Sequence, residues 1–194
     1  MKPSDIMRKL NSIQKHALLV LEANDEASVR GKLWFQKEVF LLSRAVSDLA
    51  EELDYEPALM GPLSETLDWN LDQLEAIGLL QRRDSTFSIT KTGRKCVRLI
   101  SNDVSASTLE LIAELKELLN DLSKDELLAL VYSMHPEMTI ESEELEGLRP
   151  KRKELAIGLF AKGKVGLDRG ARIAELPVQK FASLLRRRGV RRYA

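Results

Sequence analysis

Residues 151–194 combine side chains whose types and spacing suit nucleic-acid recognition. They include 13 Lys and Arg and 3 acidic residues, a net charge of +10, whereas residues 1–150 have a net charge of −10. A basic segment on an acidic body favours nucleic acid as a partner, because Lys and Arg contacts to phosphates supply much of the affinity. The alternatives are a solvated tail, or arginines that pack on the acidic body.

A helix-turn-helix is predicted within this basic segment. Small residues at Gly170, Ala171 and Ala174 let a second helix approach residues 167–175 closely. The second helix is predicted to begin at Pro177, with Glu175 standing where the repressor-type pattern usually has glycine. The spacing i, i+3, i+4, i+7 predicts the buried stripe Val178, Phe181, Ala182 and Leu185.

The outer face of that second helix is polar and basic, as in a helix that enters the major groove. Gln179 and Ser183 are predicted to face bases. Lys180, Arg186 and Arg187 are predicted to reach either bases or phosphates. The predicted contacts to the DNA backbone are Arg169, Arg172, Arg191 and Arg192.

The residues that could support catalysis are few. The chain has no glycine-rich phosphate loop and no Ser/His/Asp or Cys/His/Asp set, and His16 and His135 lie too far apart for metal-ligand spacing. We therefore expect no enzymatic activity, no cofactor and no metal. Cys96 is the only cysteine, which fits a reducing cytoplasm. The apolar run 17–21 is too short for a signal or a membrane span, so no membrane partner is expected.

Residues 1–101 carry the pattern of a winged helix. Predicted helices at 12–23, 31–53 and 65–77 precede strands at 78–82 and 86–89 and a helix at 90–100. Ser64 is the predicted N-cap of the third helix and Gly78 its stop. That helix has four acids and no basic residue, so phosphates would repel it. The wing residues Arg82, Arg83 and Lys91 either touch a DNA backbone or pair with the acidic segment that follows.

Residues 102–136 are predicted to form an acidic helical pair. The first helix, 107–122, has a leucine seam that either folds back on the winged helix or joins a second subunit: Leu111, Leu115, Leu118 and Leu122. A capping box of Ser123 and Glu126 begins the second helix. Residues 137–150 are predicted to be a linker to the basic module 151–194. The predicted fold class is mainly α.

Two parts of the chain resemble known families. Residues 12–143 resemble the YwgA-like and Panacea-type winged-helix proteins in a Gly-Pro-x-Ser helix start, a Gly-Leu helix end and a Thr-x-x-Gly wing exit. The matching residues are Gly61, Pro62, Ser64, Gly78, Leu79, Thr90 and Gly93, and residues 123–143 resemble the second signature of these proteins. This resemblance implies contacts with protein partners, as in antitoxins or adaptors, and no catalytic site.

The second resemblance lies in residues 154–190. They are similar to a small archaeal and cyanobacterial antitoxin-like family found beside PIN-domain toxins. The matching residues are Leu159, Phe160, Gly163, Lys164, Leu167, Ala171, Ala174, Leu176, Phe181, Leu184, Leu185, Arg188, Gly189 and Val190. The resemblance implies a helix-turn-helix that binds an operator, a toxin, or both.

Together these features predict a DNA-binding transcriptional regulator, antitoxin-like, that acts through the basic helix-turn-helix on double-stranded DNA. Because one small module binds DNA weakly, a homodimer is expected, with helix 107–122 as the candidate seam. The alternative is a protein adaptor or antitoxin that neutralises a partner, such as a toxin, through the winged-helix body.

Overall fold

The computed structural model describes residues 2–190 and is mainly helical, with one two-stranded antiparallel sheet. The chain forms two compact units. The first comprises the residues up to Glu56 together with Pro62–Asp121, and the second comprises Pro57–Gly61 and the residues from Leu122 onward. This division at residue 121 differs from the boundaries expected at residues 101, 136 and 150.

Within its described residues the first unit contains seven α-helices, one 3₁₀ turn at Ser101–Asp103 and the hairpin. The elements are α1 (Pro3–Met7), α2 (Ser12–Glu26), α3 (Lys32–Ser43), α4 (Ser47–Leu53), α5 (Glu65–Ala76), β1 (Leu80–Arg83), β2 (Thr86–Ile89), α6 (Lys91–Ile100) and α7 (Ala106–Leu119). Its core is built around α2 and α3, whose side chains Leu18, Leu21, Phe35 and Leu42 are fully buried.

The single helix predicted over residues 31–53 is wrong, because the structure divides it into α3 and α4. Val46 adopts an extended conformation (φ −113°, ψ 98°) and is the N-cap of α4. A β-branched residue loses side-chain freedom inside a helix, which favours a break at this position. The break turns the chain so that Leu49 and Leu53 also reach the core.

Local signals place α5 and the hairpin as expected. The Ser64 hydroxyl accepts from the Leu67 N–H at 3.0 Å, and Gly78 has the left-handed φ of +72° that ends the helix. Asp84 and Ser85 connect the strands with φ values of +46° and +64°. Two successive positive φ values are typical of the tight turn that joins twisted antiparallel strands.

Helix α7 folds against α2 and α3 within the same unit. Its most buried line is Ile112, Lys116 and Leu119, whereas Leu111 and Leu115 of the expected seam are only partly buried. Lys116 donates to the carbonyls at the end of α2, with distances from Nζ of 2.8 Å to Val20, 3.1 Å to Leu21 and 2.8 Å to Ala23. Lys116 of α7 therefore caps the end of α2. The leucine spacing alone had predicted that this face of α7 is apolar.

The second unit contains five described helices. They are α8 (Lys124–Met134), α9 (Leu145–Leu148), α10 (Arg152–Ala161), α11 (Leu167–Ile173) and α12 (Val178–Arg187), with single 3₁₀ turns at Pro136–Thr139 and Arg149–Lys151. The capping box is present, because the Glu126 carboxylate accepts from the Ser123 N–H at 2.9 Å and Ser123 Oγ accepts from the Glu126 N–H at 3.3 Å.

Residues 137–150, expected as a linker, fold into this second unit. They contain helical turns, Leu148 is buried, and the Glu143 N–H donates to the Leu59 carbonyl at 3.0 Å. The run of glutamates suggested a solvated connector, but Leu148 is buried, and burying an apolar side chain favours a folded segment. Among the described residues, no helix is both long and apolar enough to cross a lipid bilayer.

Candidate nucleic-acid interface

Helices α11 and α12 pack closely because Gly170 of α11 leaves room for the ring of Phe181 of α12. A Cβ atom placed on Gly170 would lie 2.5 Å from Cε1 of Phe181. Phe181 is completely buried, and its ring also meets Phe160 of α10 edge-on, with centroids 6.2 Å apart. The small residues expected to permit close approach therefore do so at Gly170.

The turn between the two helices is fixed by backbone hydrogen bonds. The Leu176 N–H donates to the Ala171 carbonyl at 3.0 Å, and Glu175 adopts a left-handed φ of +50°. The repressor-type pattern usually has glycine at this position. The left-handed conformation explains that preference, because it costs a residue with a side chain about 1 to 2 kcal/mol. The Glu175 carboxylate also forms an ion pair with Arg152. Pro177 lies one residue before α12, as its N-cap, and not inside its first turn as expected.

The outward face of α12 carries four of the predicted DNA contacts in one groove. Gln179, Lys180, Ser183 and Arg187 line a groove of about 450 Å³ together with Lys153, Leu176 and Leu184. Gln179, Lys180 and Arg187 are exposed, and so is Arg186 on the same helix. The helix thus presents an amide, a hydroxyl and several cations to solvent on one side, while Phe181 and Leu185 anchor its other side.

Two details of α12 differ from the expectation. Val178 is 39% exposed although it was predicted to be buried, because it is the first residue of the helix and lies at its open end. The Ser183 hydroxyl donates to the Gln179 carbonyl at 2.9 Å and accepts from Arg186 Nη2 at 3.2 Å. A contact from Ser183 to a base therefore has to compete with bonds inside the helix.

The arginines predicted for the DNA backbone lie elsewhere in the unit. Arg169 is half-buried, and its Nη1 donates to the Ser133 carbonyl near the end of α8 at 3.1 Å. Arg172 lines a second cavity, with Arg149 and Arg152. Arg191 and Arg192 lie outside the described residues.

Lys153 lines the groove on α12 but was not among the DNA contacts predicted from the sequence. It precedes Gln179 by more than twenty positions, and the sequence offered only the signal that Lys151, Arg152 and Lys153 form a basic run, which lies at the start of α10. The fold of α10 against α11, and of α11 against α12, brings Lys153 into the groove.

In the first unit, Arg82 of the β1–β2 hairpin is paired with the acidic helix α5. Its Nη2 lies 2.5 Å from Asp72 Oδ1 and its Nε lies 3.3 Å from Glu75 Oε2. Of the two expected alternatives, a DNA backbone or the acidic segment that follows, the second does not hold for Arg82, whose acidic partners lie in the helix that precedes the hairpin. A third acid of α5, Asp68, pairs with Lys32 at 2.6 Å. Arg83 and Lys91 are exposed.

Within residues 2–190, no group of three or more His, Cys, Asp or Glu side chains is placed to hold a metal ion. No protein-family model and no curated protein matches the chain.

Proposed function

We propose that the protein is a DNA-binding transcriptional regulator in which α11 and α12 act as a helix-turn-helix and α12 enters the major groove. The observation that carries this proposal is the groove on α12, where exposed Gln179, Lys180 and Arg187 stand beside Lys153. Amide and guanidinium groups are those that read adenine and guanine edges in the major groove, and lysines neutralise phosphates.

Close packing behind α12 supports this role. A reading helix needs a fixed orientation, since base contacts depend on placing side chains accurately. Phe181, enclosed by Gly170 and Phe160, holds the helix from its inner side and leaves the opposite side free for DNA. A single module of this size contacts few bases, so we propose that a homodimer binds two half-sites.

In this function the β1–β2 hairpin contributes little to DNA binding. We propose a winged-helix arrangement for α2, α3, α5 and the β1–β2 hairpin, but with Arg82 engaged by α5 the wing adds few free cations. DNA affinity then comes mainly from the second unit.

The test is a fluorescence-anisotropy titration of the full chain with its own promoter duplex and with a scrambled duplex. Lys180→Ala and Arg187→Ala are each expected to weaken binding to the promoter by roughly tenfold, for a loss of about 1 to 3 kcal/mol per specific contact. Arg8→Ala, which removes an exposed charge from α1's end, is the matched control. Point variants are preferable to removing residues 151–194, because that removal would divide the second compact unit.

Equal affinity of the two duplexes, with Lys180→Ala and Arg187→Ala no weaker than Arg8→Ala, would defeat the proposal. The dependence of the affinity on salt concentration is a second measurement. Release of counterions from about six phosphates gives a log-log slope near −5.

One observation favours a second candidate, a protein adaptor or antitoxin. Trp69 and Ile77, at the outer side and the end of α5, are 59% and 49% exposed. A protein partner that binds along α5 would cover both of these apolar side chains. If the body binds a partner such as a co-encoded toxin, Trp69→Ala should abolish co-elution of the two proteins in size-exclusion chromatography and leave DNA binding intact.

A further inference from the structure

The second unit contains a cavity that the DNA-binding surface does not use. It has a volume of about 280 Å³ and is lined by α8, α9, α10, α11 and the turns between them. Its inner wall is apolar, with Tyr132, Leu148 and Ile173 all buried. The size suits a small organic molecule better than a single ion.

The charged residues that line this cavity carry a net positive charge. Arg149, Arg152 and Arg172 contribute to its lining, against one acid, Glu175. Arg152 pairs with Glu175, and Arg149 pairs with Glu146 at 2.9 Å, where both side chains are exposed. The Arg172 guanidinium is exposed and forms no ion pair with any described residue.

Three guanidinium groups beside an apolar wall suit a ligand that joins an acidic group to an uncharged, apolar body. The planar fork of arginine binds a carboxylate or a phosphate through two parallel hydrogen bonds. The apolar wall would cover the uncharged body of the same molecule. We propose that this cavity binds a small organic anion, with its acidic group on Arg172 and Arg152 and its apolar body against Leu148 and Ile173.

Binding of such an anion would act on the turn before α12. Arg152 is held by Glu175, and Glu175 occupies the left-handed position of that turn. An anion on Arg152 competes with the Glu175 carboxylate and removes one of the contacts that fix the turn. The ligand therefore serves as an effector of DNA binding, a consequence that rests on the proposed function, whereas the anion site itself does not.

The site is tested on the full chain in the absence of DNA, by titration in nitrogen-edited NMR spectra. The probes are benzoate and phenyl phosphate, which share an apolar body and differ in the acidic group, with benzyl alcohol and inorganic phosphate as controls. At least one of the two aromatic anions should shift the amides around Tyr132, Leu148 and Ile173 in a saturable way. Both controls should bind at least tenfold more weakly, since each lacks half of the recognised chemistry.

Two variants change the affinity in opposite directions. Arg172→Ala should weaken binding of the aromatic anion by roughly tenfold or more, because it removes a charge-assisted hydrogen-bond pair. Glu175→Gln should strengthen it a few-fold, because the competing carboxylate is gone. Arg187→Ala, which removes the same charge from the α12 groove, should leave the affinity unchanged.

Absence of saturable shifts with either aromatic anion, or equal weakening by Arg172→Ala and Arg187→Ala, overturns the anion site. Unchanged affinity in Glu175→Gln overturns the competition for Arg152. A change in promoter affinity on adding the anion is read separately, so failure of DNA binding leaves the test of the anion site intact.

Discussion

Gly170 and Phe181 are matched so closely that the ring of Phe181 occupies the space where a Cβ atom on residue 170 would lie, 2.5 Å from Cε1. This contact joins α11 to α12, and it therefore determines how the groove residues of α12 are presented. A change at this position tests whether the predicted reading helix depends on packing behind it.

Gly170→Ala should lower the free energy of unfolding of the second unit by about 1 to 3 kcal/mol, because Phe181 is buried and can yield only by disturbing its neighbours. Hydrogen exchange of the α11 and α12 amides measures this. Gly158→Ala is the matched control, since a Cβ there meets only Glu126 Oε1 at 3.5 Å and alanine favours a helix by about 0.5 to 1 kcal/mol. Similar protection in the two variants would contradict the role of the contact.

Glu175→Gly should be more stable than Glu175→Ala by about 1 kcal/mol, because both variants lose the ion pair with Arg152 and only glycine relieves the left-handed conformation. Urea denaturation of the two variants measures the difference. If the alanine variant is equally stable, the turn does not impose the conformational cost inferred from its φ of +50°.

Lys116→Met should destabilise the first unit by about 2 to 4 kcal/mol, although methionine suits an apolar seam. The reason is that the carbonyls of Val20 and Leu21, both in buried residues, lose their donor. Thermal unfolding followed by circular dichroism is the measurement, with exposed Lys95→Met as control. A stabilised Lys116→Met would show that the lysine is a tolerated charge and not a helix cap.

The buried carboxyl group of Glu38 should make the stability of the protein depend on pH. Its side chain is 1% exposed, its two carboxylate oxygens have no hydrogen-bond partner, and burial raises its pKa to about 8 despite the opposing charge of Lys116. The folded state then holds a proton that the unfolded state releases, so stability is lost as pH rises from the unfolded pKa of about 4.5 through about 8.

Glu38→Gln remains neutral throughout this range. The variant should therefore gain stability relative to the unmodified protein between pH 4 and pH 8, by up to on the order of 4 kcal/mol. Urea denaturation of both proteins at several pH values measures the gain. A constant difference across the range would mean that Glu38 is ionised in the folded state.

The sequence by itself determined features that depend on neighbouring residues. Ser64 and Gly78 predicted both ends of α5, the Ser123 and Glu126 pair predicted the start of α8, and residues 83–85 between the two expected strands predicted the hairpin turn, although Arg83 belongs to β1. These signals are reliable because a cap or a turn is satisfied within about four residues of the chain. The exposed polar side of α12 followed in the same way from helical spacing.

Only the tertiary structure decided which distant groups meet. Arg82 is held by α5, Arg169 is bonded to α8, Lys153 joins the groove of α12, and Arg172 faces a cavity with Arg152. Spacing along one helix shows which side a residue lies on, but not which element covers that side. The partners of these cations depend on how separate helices pack, and that packing is set by buried contacts such as Gly170 with Phe181.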